Sequence, residues 1–342
     1  MRSSPSLERK LNKHATTILI GGIFLSFSLI MYLTLCNMPC EDNTYGILHN
    51  DLKEAQNQAF WKKHILAPAR SVTAVLFIVI MSAPKNLQRR DTIRETWGKN
   101  LPKTVKLQFV IGHEGLDRET KEEIARENLI HHDVLPLENL IDSYANLTLK
   151  LLETLKWVDR MVDFQYFLKA DEDTLIRVDK ILLEVQKLPS ERLYWGFFDG
   201  RAHVKKAGKW VEKNWVLCDR YLPYAVGGGY VISNDLVHYI ASNWKLLRLY
   251  NSEDVTLGAW LAPLDIERRH DTRFDTEYKS RGCRNSYLIT HKHTDLQIHQ
   301  LYNNILNSGQ LCTKEFQVRN SYIYNWNVLP SNCCIRNNSA IP

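Results

Sequence analysis

The run SVTAVLFIVIMSAP, residues 71–84, is an almost unbroken series of apolar and β-branched side chains that ends at Pro84. A strand with one face in water alternates apolar and polar residues, so a continuous run predicts a strand that is covered on both faces. Such strands are typical of parallel sheets with helices on both sides. The run therefore predicts an α/β fold that begins near residue 71.

Helix-like and strand-like patterns then alternate along the chain. Apolar residues recur at helical spacing in QRRDTIRETWGK, VKLQFVIG predicts a second buried strand, and an amphipathic helix over residues 141–161 precedes the strand-like FQYFLKA. This repetition over residues 71–188 predicts a parallel sheet with ligands at the carboxyl ends of its strands. The second half is dense in Trp, Tyr and Gly, and we expect it to complete one domain, residues 71–342, with a mixed sheet.

The composition disfavours several classes of function. The chain has 342 residues, 44% of them hydrophobic and 24% charged, which is ordinary for a folded protein. About half of the formal charge of +6 lies before residue 15, and no basic stripe interleaved with aromatic residues follows, so no nucleic-acid partner is predicted. The GxSxG, HExxH and P-loop motifs do not occur in the sequence, which disfavours hydrolases, zinc proteases and kinases.

Residues 15–35 contain no charged side chain, and as a helix they would be about 31 Å long, the thickness of a bilayer's hydrocarbon core. A cleaved signal peptide is the alternative, but its apolar region would be shorter and would end in a small-residue cleavage site. Basic residues precede the segment, so the positive-inside rule predicts a cytosolic tail, residues 1–14, and an exported remainder. The polar residues 36–70 would form a stem.

Cysteine usage also indicates export. The seven cysteines show no zinc-type spacing, which favours disulfides in an oxidising lumen, although the pairing cannot be deduced from the sequence. An odd number leaves at least one thiol unpaired, and we expect this to be Cys36, at the membrane edge. The sequons at Asn146 and Asn337 permit glycosylation in such a compartment.

Three adjacent carboxylates, Asp171, Glu172 and Asp173, directly follow the strand-like FQYFLKA. Asp171 and Asp173 could hold Mg²⁺ or Mn²⁺ against a diphosphate, provided that the backbone turns between them on leaving the strand. The alternative is an acidic cluster at the start of the next helix, which needs no metal. The residues alone leave both interpretations open.

A second carboxylate pair, Glu253 and Asp254, precedes the helix-like VTLGAWLA. A buried carboxylate near a sugar hydroxyl could accept its proton as a general base. The alternative is helix capping by Ser252 and Glu253, which is worth about 1 kcal/mol. Neither interpretation is favoured by the residues alone.

Three further groups of residues are candidates for ligand contacts. Glycines inside a strand-like run indicate the close approach of a ligand or of a bulky packed neighbour. A histidine after an apolar strand can complete a carboxylate metal site, although a structural histidine fits the same pattern. Arginines on the first helix could bind a phosphate or could be solvated. These residues are Gly227, Gly228, Gly229, His291, Arg89, Arg90 and Arg94.

RRDTIRETW, the strand-end DED, VGGGYVIS and SEDVTLGAWL occur in the order of the beta-1,3-glycosyltransferases of family 31, which the chain resembles over residues 72–300. Within that family, YWGFFDGR, LPYAVGGGY, RFDTEYKSRGC and the C-terminal CC resemble the branch that acts on the proteoglycan linkage region. The resemblance implies a GT-A fold, a UDP-galactose donor and a Mn²⁺ cofactor. It also implies an inverting transfer to the 3-hydroxyl of galactose in the Gal-β1,4-Xyl-O-Ser linker of heparan and chondroitin sulfate proteoglycans.

The resemblance further implies a role for each candidate. Asp173 would bind the metal directly, Asp171 would orient the ribose or a metal-bound water, and His291 would be the third ligand. Asp254 would be the general base. Glu172, where relatives often carry Asp, would point away from the metal and be dispensable. The implied donor contacts are Arg90, Arg94, Gly227, Gly228, Gly229 and Glu253.

Two alternatives stay open. The same scaffold could transfer N-acetylglucosamine, or galactose to another glycan acceptor. A protein of a different class, anchored in the lumen, could bind glycans or partner enzymes without catalysis. The implied location is the Golgi membrane, as a single-pass type II protein, with other Golgi glycosyltransferases as potential partners.

Overall fold

The structure is a computed structural model and describes residues 72–335. The strands, in chain order, are β1 (Val72–Met81), β2 (Val105–Gly112), β3 (Val134–Leu137), β4 (Val162–Asp171), β5 (Thr174–Ile176), β6 (Leu193–Asp199), β7 (Tyr224–Ser233), β8 (Glu267–His270), β9 (Phe274–Asp275), β10 (Gly282–Cys283), β11 (Ile289–His291) and β12 (Phe316–Gln317). The helices are α1 (Leu87–Glu95), α2 (Arg118–His131), α3 (Leu147–Met161), α4 (Val178–Val185), α5 (Asn234–Asn243), α6 (Glu253–Leu261) and α7 (Asp295–Ser308). Short 3₁₀ turns occupy Tyr144–Asn146, Trp244–Leu246 and Pro330–Asn332.

The main sheet has seven strands in the order β3-β2-β1-β4-β7-β6-β8. The strands from the first half of the chain pair in parallel, as the alternation of patterns predicts. β7 is antiparallel to both β4 and β6, and β8 is parallel to β6. The α/β class and the mixed character of the second half are therefore confirmed.

β1 lies inside the sheet and is covered on both faces. Its successive residues Leu76, Phe77, Ile78 and Val79 are all at most 2% exposed, although alternate side chains of a strand point to opposite faces. This pattern explains why the sequence shows a continuous apolar run instead of alternation. Burial of these side chains stabilises the sheet by about 2 kcal/mol for each one.

A small three-stranded sheet, β5-β11-β9, lies at the carboxyl end of β4. β11 is antiparallel to β5, and His291 is paired in register with Thr174. Because β5 separates the acidic triplet from α4, the triplet does not open a helix. The interpretation of Asp171–Asp173 as a helix-capping cluster is therefore wrong.

Four of the cysteines in the described residues form disulfides, Cys283–Cys312 and Cys333–Cys334, whereas Cys218 is free and exposed. Cys36 lies outside the described residues, as do the predicted tail, anchor and stem and the sequon at Asn337. Among residues 72–335, no helix is long and apolar enough to cross a membrane.

Arg90 and Arg94 tie α1 to α2, contrary to the prediction that they border a nucleotide. The Arg90 side chain is 1% exposed, and its Nε and Nη2 each donate to Glu127 at 2.7 Å. Its remaining donors bond Ser82 Oγ and backbone carbonyls of the loop after β1, so none of the five N–H groups is left for a phosphate. Arg94 also bonds Glu127, at 2.6 Å. Arginine spacing cannot distinguish such buried pairs from solvated side chains.

We expect Arg90→Met to lower the free energy of unfolding by about 3 kcal/mol, because it leaves part of the buried Glu127 charge uncompensated. Arg118→Met on α2 is the matched control, since the Arg118–Glu122 pair is exposed and should contribute little. Urea unfolding of both variants measures the difference. Equal stability of the two variants would contradict the structural role of Arg90.

Candidate active site

Asp171, Asp173 and His291 meet at the carboxyl end of β4. One ligand atom from each lies within 4.8 Å of the others. Asp171 ends β4, Asp173 follows one residue later as the chain turns into β5, and β11 delivers His291 from more than one hundred residues away. The structure therefore brings together the three residues predicted as metal ligands.

The chemistry of this cluster suits a divalent cation. Asp173 Oδ1 and His291 Nδ1 are buried and have no hydrogen-bond partner among the described residues. A buried polar atom without a partner is costly unless a ligand completes it. Burial lowers the pKa of His291, so its imidazole is held neutral and can ligate a metal. Two carboxylates and a neutral imidazole match the ligand preferences of Mg²⁺ or Mn²⁺.

Lys169 provides the positive charge beside the cluster. Its ammonium donates to Asp171 Oδ1 at 2.8 Å and to the Gly227 carbonyl at 2.6 Å, and it lies 3.0 Å from Glu253 Oε1. Burial opposes ionisation of Asp171, but the charge and hydrogen bond of Lys169 outweigh it and hold the pKa of Asp171 below the ordinary value. The triplet is therefore balanced on one side by a lysine of its own strand.

Glu253 and Asp254 lie in the first turn of α6, facing β7. Ser252 is the N-cap residue but makes no side-chain capping bond, so the capping interpretation is wrong for its side chain. Both oxygens of Asp254 accept backbone N–H groups, Oδ2 from Gly227 at 2.9 Å and Oδ1 from Val255 at 2.8 Å. Burial raises the pKa of Asp254 despite these bonds. The carboxylate is thus held in place and has an increased affinity for a proton.

The glycines of β7 make room for these groups. A Cβ on Gly228 would lie 2.7 Å from the His291 ring, and one on Gly227 would lie 3.1 Å from both Asp254 and Glu253. A Cβ on Gly229 would lie 3.1 Å from Ile289. The glycines allow the close approach of protein side chains, as the alternative of a bulky packed neighbour predicts. Their predicted contact with a donor sugar stays a prediction.

Glu172 points away from the cluster, in agreement with the prediction, but it makes hydrogen bonds of its own. It accepts from Ser82 Oγ at 2.8 Å and from the Asn86 amide. These bonds connect the end of β4 to the loop after β1. Its description as the dispensable member of the triplet therefore holds only for metal binding.

Two functional residues were missed in the sequence. Lys169 was detectable, since a lysine inside the apolar FLKA run on a buried strand needs an anionic partner, and Asp171 lies two residues away on the same face. Tyr144 gave no such signal. Burial, together with the nearby charges of Asp254, Glu253 and Asp171, raises its pKa, and Lys209 lies 4.6 Å from its ring centre. Its place beside the carboxylates depends on tertiary structure.

The sequon residue Asn146 lies immediately before α3. Its side-chain amide donates to the Ile141 carbonyl at 2.9 Å, and Thr148 of the same sequon is buried. Glycosylation at Asn146 stays a prediction.

Comparisons with known proteins identify the class of molecule. A family model described as Galactosyltransferase matches residues 88–272. Beta-1,3-galactosyltransferase 6 of Mus musculus is 48% identical over 270 residues, which are 77% of this chain and 83% of that protein. The chain belongs to the galactosyltransferase family, and the predicted resemblance and enzyme class are confirmed.

More distant relatives share only part of their length with this chain. UDP-GalNAc:beta-1,3-N-acetylgalactosaminyltransferase 2 of Xenopus laevis is 32% identical over 179 residues, 52% of this chain and 36% of that protein. Among solved structures, a mannosyltransferase of Pyrobaculum calidifontis in complex with GDP-Man and Mn²⁺ matches with a TM-score of 0.35 and 10% identity, over 66% of this chain and 64% of that one. The second likeness is too remote to indicate a shared activity.

The environment of Glu253 predicts a pH dependence of stability. Burial, together with the charges of Asp254 and Asp171, raises its pKa from 4.5 to about 7 against the attraction of Lys169. Because the folded state holds this proton more tightly than the unfolded chain, stability should fall as the pH rises from about 4.5 to about 7. Glu253→Gln cannot ionise and should flatten this slope in urea unfolding.

Glu122→Gln on α2 is the control, because Glu122 is exposed and pairs with exposed Arg118. It should leave the slope unchanged. If Glu253→Gln and the wild type lose stability equally over this pH range, Glu253 is not protonated in the folded protein as inferred.

Proposed function

We propose that this enzyme is an inverting beta-1,3-galactosyltransferase with a GT-A fold, which moves galactose from UDP-galactose to the 3-hydroxyl of galactose in Gal-β1,4-Xyl-O-Ser. The transfer would extend the linkage region of heparan and chondroitin sulfate proteoglycans by one galactose. The motif resemblance to the linkage-region branch and the 48% identity to a beta-1,3-galactosyltransferase support the reaction. The observation that carries the proposal is the pairing of an Asp171–Asp173–His291 cluster with a separately held carboxylate, Asp254.

Asp254 would act as the general base of a single displacement. As the acceptor hydroxyl oxygen forms its bond to the anomeric carbon, Asp254 takes the hydroxyl proton, and the electrons of the bond to phosphate leave with UDP. The two backbone donors on Asp254 fix its orientation, while burial increases its affinity for a proton. No covalent enzyme intermediate is needed, in keeping with the lack of a nucleophilic cysteine or serine motif in the sequence.

Asp171, Asp173 and His291 would hold Mn²⁺ together with the donor diphosphate. When bound, the ion supplies positive charge for the leaving diphosphate. Asp173 Oδ1 and His291 Nδ1 are buried and have no hydrogen-bond partner among the described residues, so these two atoms would bind the ion directly. Asp171 shares Oδ1 with Lys169 and would contribute more weakly or through water.

We also propose that the enzyme works in the Golgi lumen. The proposal rests on the sequence: residues 15–35 would anchor it, residues 1–14 would face the cytosol, and residues 36–70 would carry the catalytic domain, residues 71–342. Asn146 and Asn337 would be glycosylation sites there. Other Golgi glycosyltransferases are the expected partners.

The reaction is tested with the full-length protein in detergent, Mn²⁺ and a panel of UDP-sugars and acceptors. We expect UDP release only with UDP-galactose and a Gal-β1,4-Xyl acceptor, with a β1,3 linkage in the product by NMR. EDTA should abolish the transfer and Mn²⁺ should restore it. Transfer of an N-acetylhexosamine or a preference for another acceptor would refute the substrate assignment. No UDP release in any combination would indicate a catalytically silent protein.

The roles of the base and the cluster can be separated with two isosteric substitutions. Asp254→Asn should lower kcat by about 10²-fold or more and leave equilibrium Mn²⁺ binding unchanged, because the base is not a ligand. Asp173→Asn should weaken Mn²⁺ binding as well as turnover. Both are measured by Mn²⁺ titration and UDP release. Wild-type kcat in a folded Asp254→Asn protein would eliminate Asp254 as the base.

A further inference from the structure

Lys169 is a buried lysine whose ammonium contacts three oxygen atoms of the active site. Its side chain is 4% exposed. It donates to Asp171 Oδ1 at 2.8 Å and to the Gly227 carbonyl at 2.6 Å, and it forms an ion pair with Glu253 Oε1 at 3.0 Å. An ammonium has donors and no acceptor, so two carboxylates and a carbonyl are suitable partners for it.

The three oxygen atoms belong to two different parts of the site. Asp171 is a member of the metal-binding cluster at the end of β4. Glu253 precedes the base Asp254 on α6. Gly227 bonds both Lys169 and Asp254, since its carbonyl accepts from Lys169 while its N–H donates to Asp254. Lys169 therefore connects the cluster to the base. It bonds Asp171 directly, and it reaches Asp254 through the backbone of Gly227.

The charges also need Lys169. In the described part of the chain, it is the one lysine or arginine in contact with either Asp171 or Glu253. Lys292 lies on the other side of the cluster, 3.4 Å from Asp173, and Tyr230 donates to Glu253 at 3.2 Å without adding charge. Without Lys169, no cation of the described residues would lie between Asp171 and Glu253, and the contacts that join β4 to the start of α6 through its ammonium would be lost.

We propose that Lys169 is a positioning residue that sets the distance and orientation between the metal-binding cluster and the general base. The inference rests on the proposed function and adds a residue that touches neither substrate nor metal. Lys169 acts through Asp171 on one side and through Gly227 and Glu253 on the other. The positive charge of its ammonium opposes cation binding at the cluster. Its contacts with Gly227 and Glu253 hold Asp254 in the position needed for proton transfer.

The opposite effects of Lys169 on turnover and on cation binding distinguish a positioning role from a merely structural one. Lys169→Met keeps the length of the side chain and removes its charge. We expect kcat for galactose transfer to fall by about 10²-fold, as for a misplaced general base. The dissociation constant for Mn²⁺ alone, measured by titration, should be equal to or lower than that of the wild type, because a positive charge beside the cluster is gone. General disruption of the site would weaken Mn²⁺ binding together with kcat.

A second variant covers the case in which Lys169→Met does not fold. Lys169→Met combined with Glu253→Gln removes the buried carboxylate that would lose its partner, so the protein should recover stability but not turnover. If Lys169 acts through Glu253, the double variant should be no slower than Lys169→Met by itself. Lys150→Met is the control for the loss of a buried lysine, since Lys150 bonds Asp142 and the Ser82 carbonyl. It should lower stability without tightening Mn²⁺ binding.

The outcomes separate this inference from the proposed function. If the wild type transfers no galactose in the same assay, the proposed function fails. If the wild type is active and Lys169→Met keeps kcat within threefold, or loses Mn²⁺ affinity in parallel with kcat, the positioning role fails. Failure of both Lys169 variants to fold would assign the residue to the core and would also overturn the proposal.

Discussion

The buried ammonium of Lys169 is the interaction on which the active-site region depends. Burying a charge is costly unless it is paired and hydrogen-bonded, and here Asp171 and Glu253 pair with the ammonium while Asp171 and the Gly227 carbonyl accept its hydrogen bonds. The same contacts allow carboxylates from β4 and from the start of α6 to approach each other in a region poor in water. Low local polarity strengthens the attraction as well as the penalty for a missing partner, so this part of the molecule tolerates few alternative arrangements.

Around this lysine, the fold presents two groups of side chains. In the first group, the exit from β4 and the short strand β11 present Asp173 and His291, each with a buried atom that has no hydrogen-bond partner within residues 72–335. In the second group, α6 presents Asp254, with both of its oxygens oriented by backbone donors. The glycines of β7 make room for these groups, most of all Gly228, where a Cβ would lie 2.7 Å from the His291 ring. A candidate cation-binding cluster and a candidate proton acceptor that are linked through Lys169 and Gly227 suit a reaction in which one bond breaks while a proton leaves.

The residues that sequence patterns misjudged share a physical reason. Arg90 and Arg94 have the spacing of arginines on a helix surface, yet Glu127 of α2 draws them into the interior. Glu253 and Ser252 have the order of a helix cap, yet Lys169 and Tyr230 provide the partners of Glu253. In each case the side chain could interact either with solvent or backbone nearby in the sequence, or with a charged group far away in the sequence. Local sequence describes only the local partner, so the choice between them could not be made from it.

The sequence by itself determined β1 and β2, the end of α3 at Met161 but not its start, which lies at Leu147 and not at residue 141, the parallel half of the sheet, and the acidic residues and the histidine from which the cluster is made. These features follow from the period of apolar residues, which depends only on neighbouring positions. Tertiary structure decided which charges meet: that β11 carries His291 to β4, that the glycines of β7 receive it, and that Lys169 is shared between the cluster and α6. Electrostatic interactions act through space between positions far apart in the chain, and only the packed sheet defines those distances.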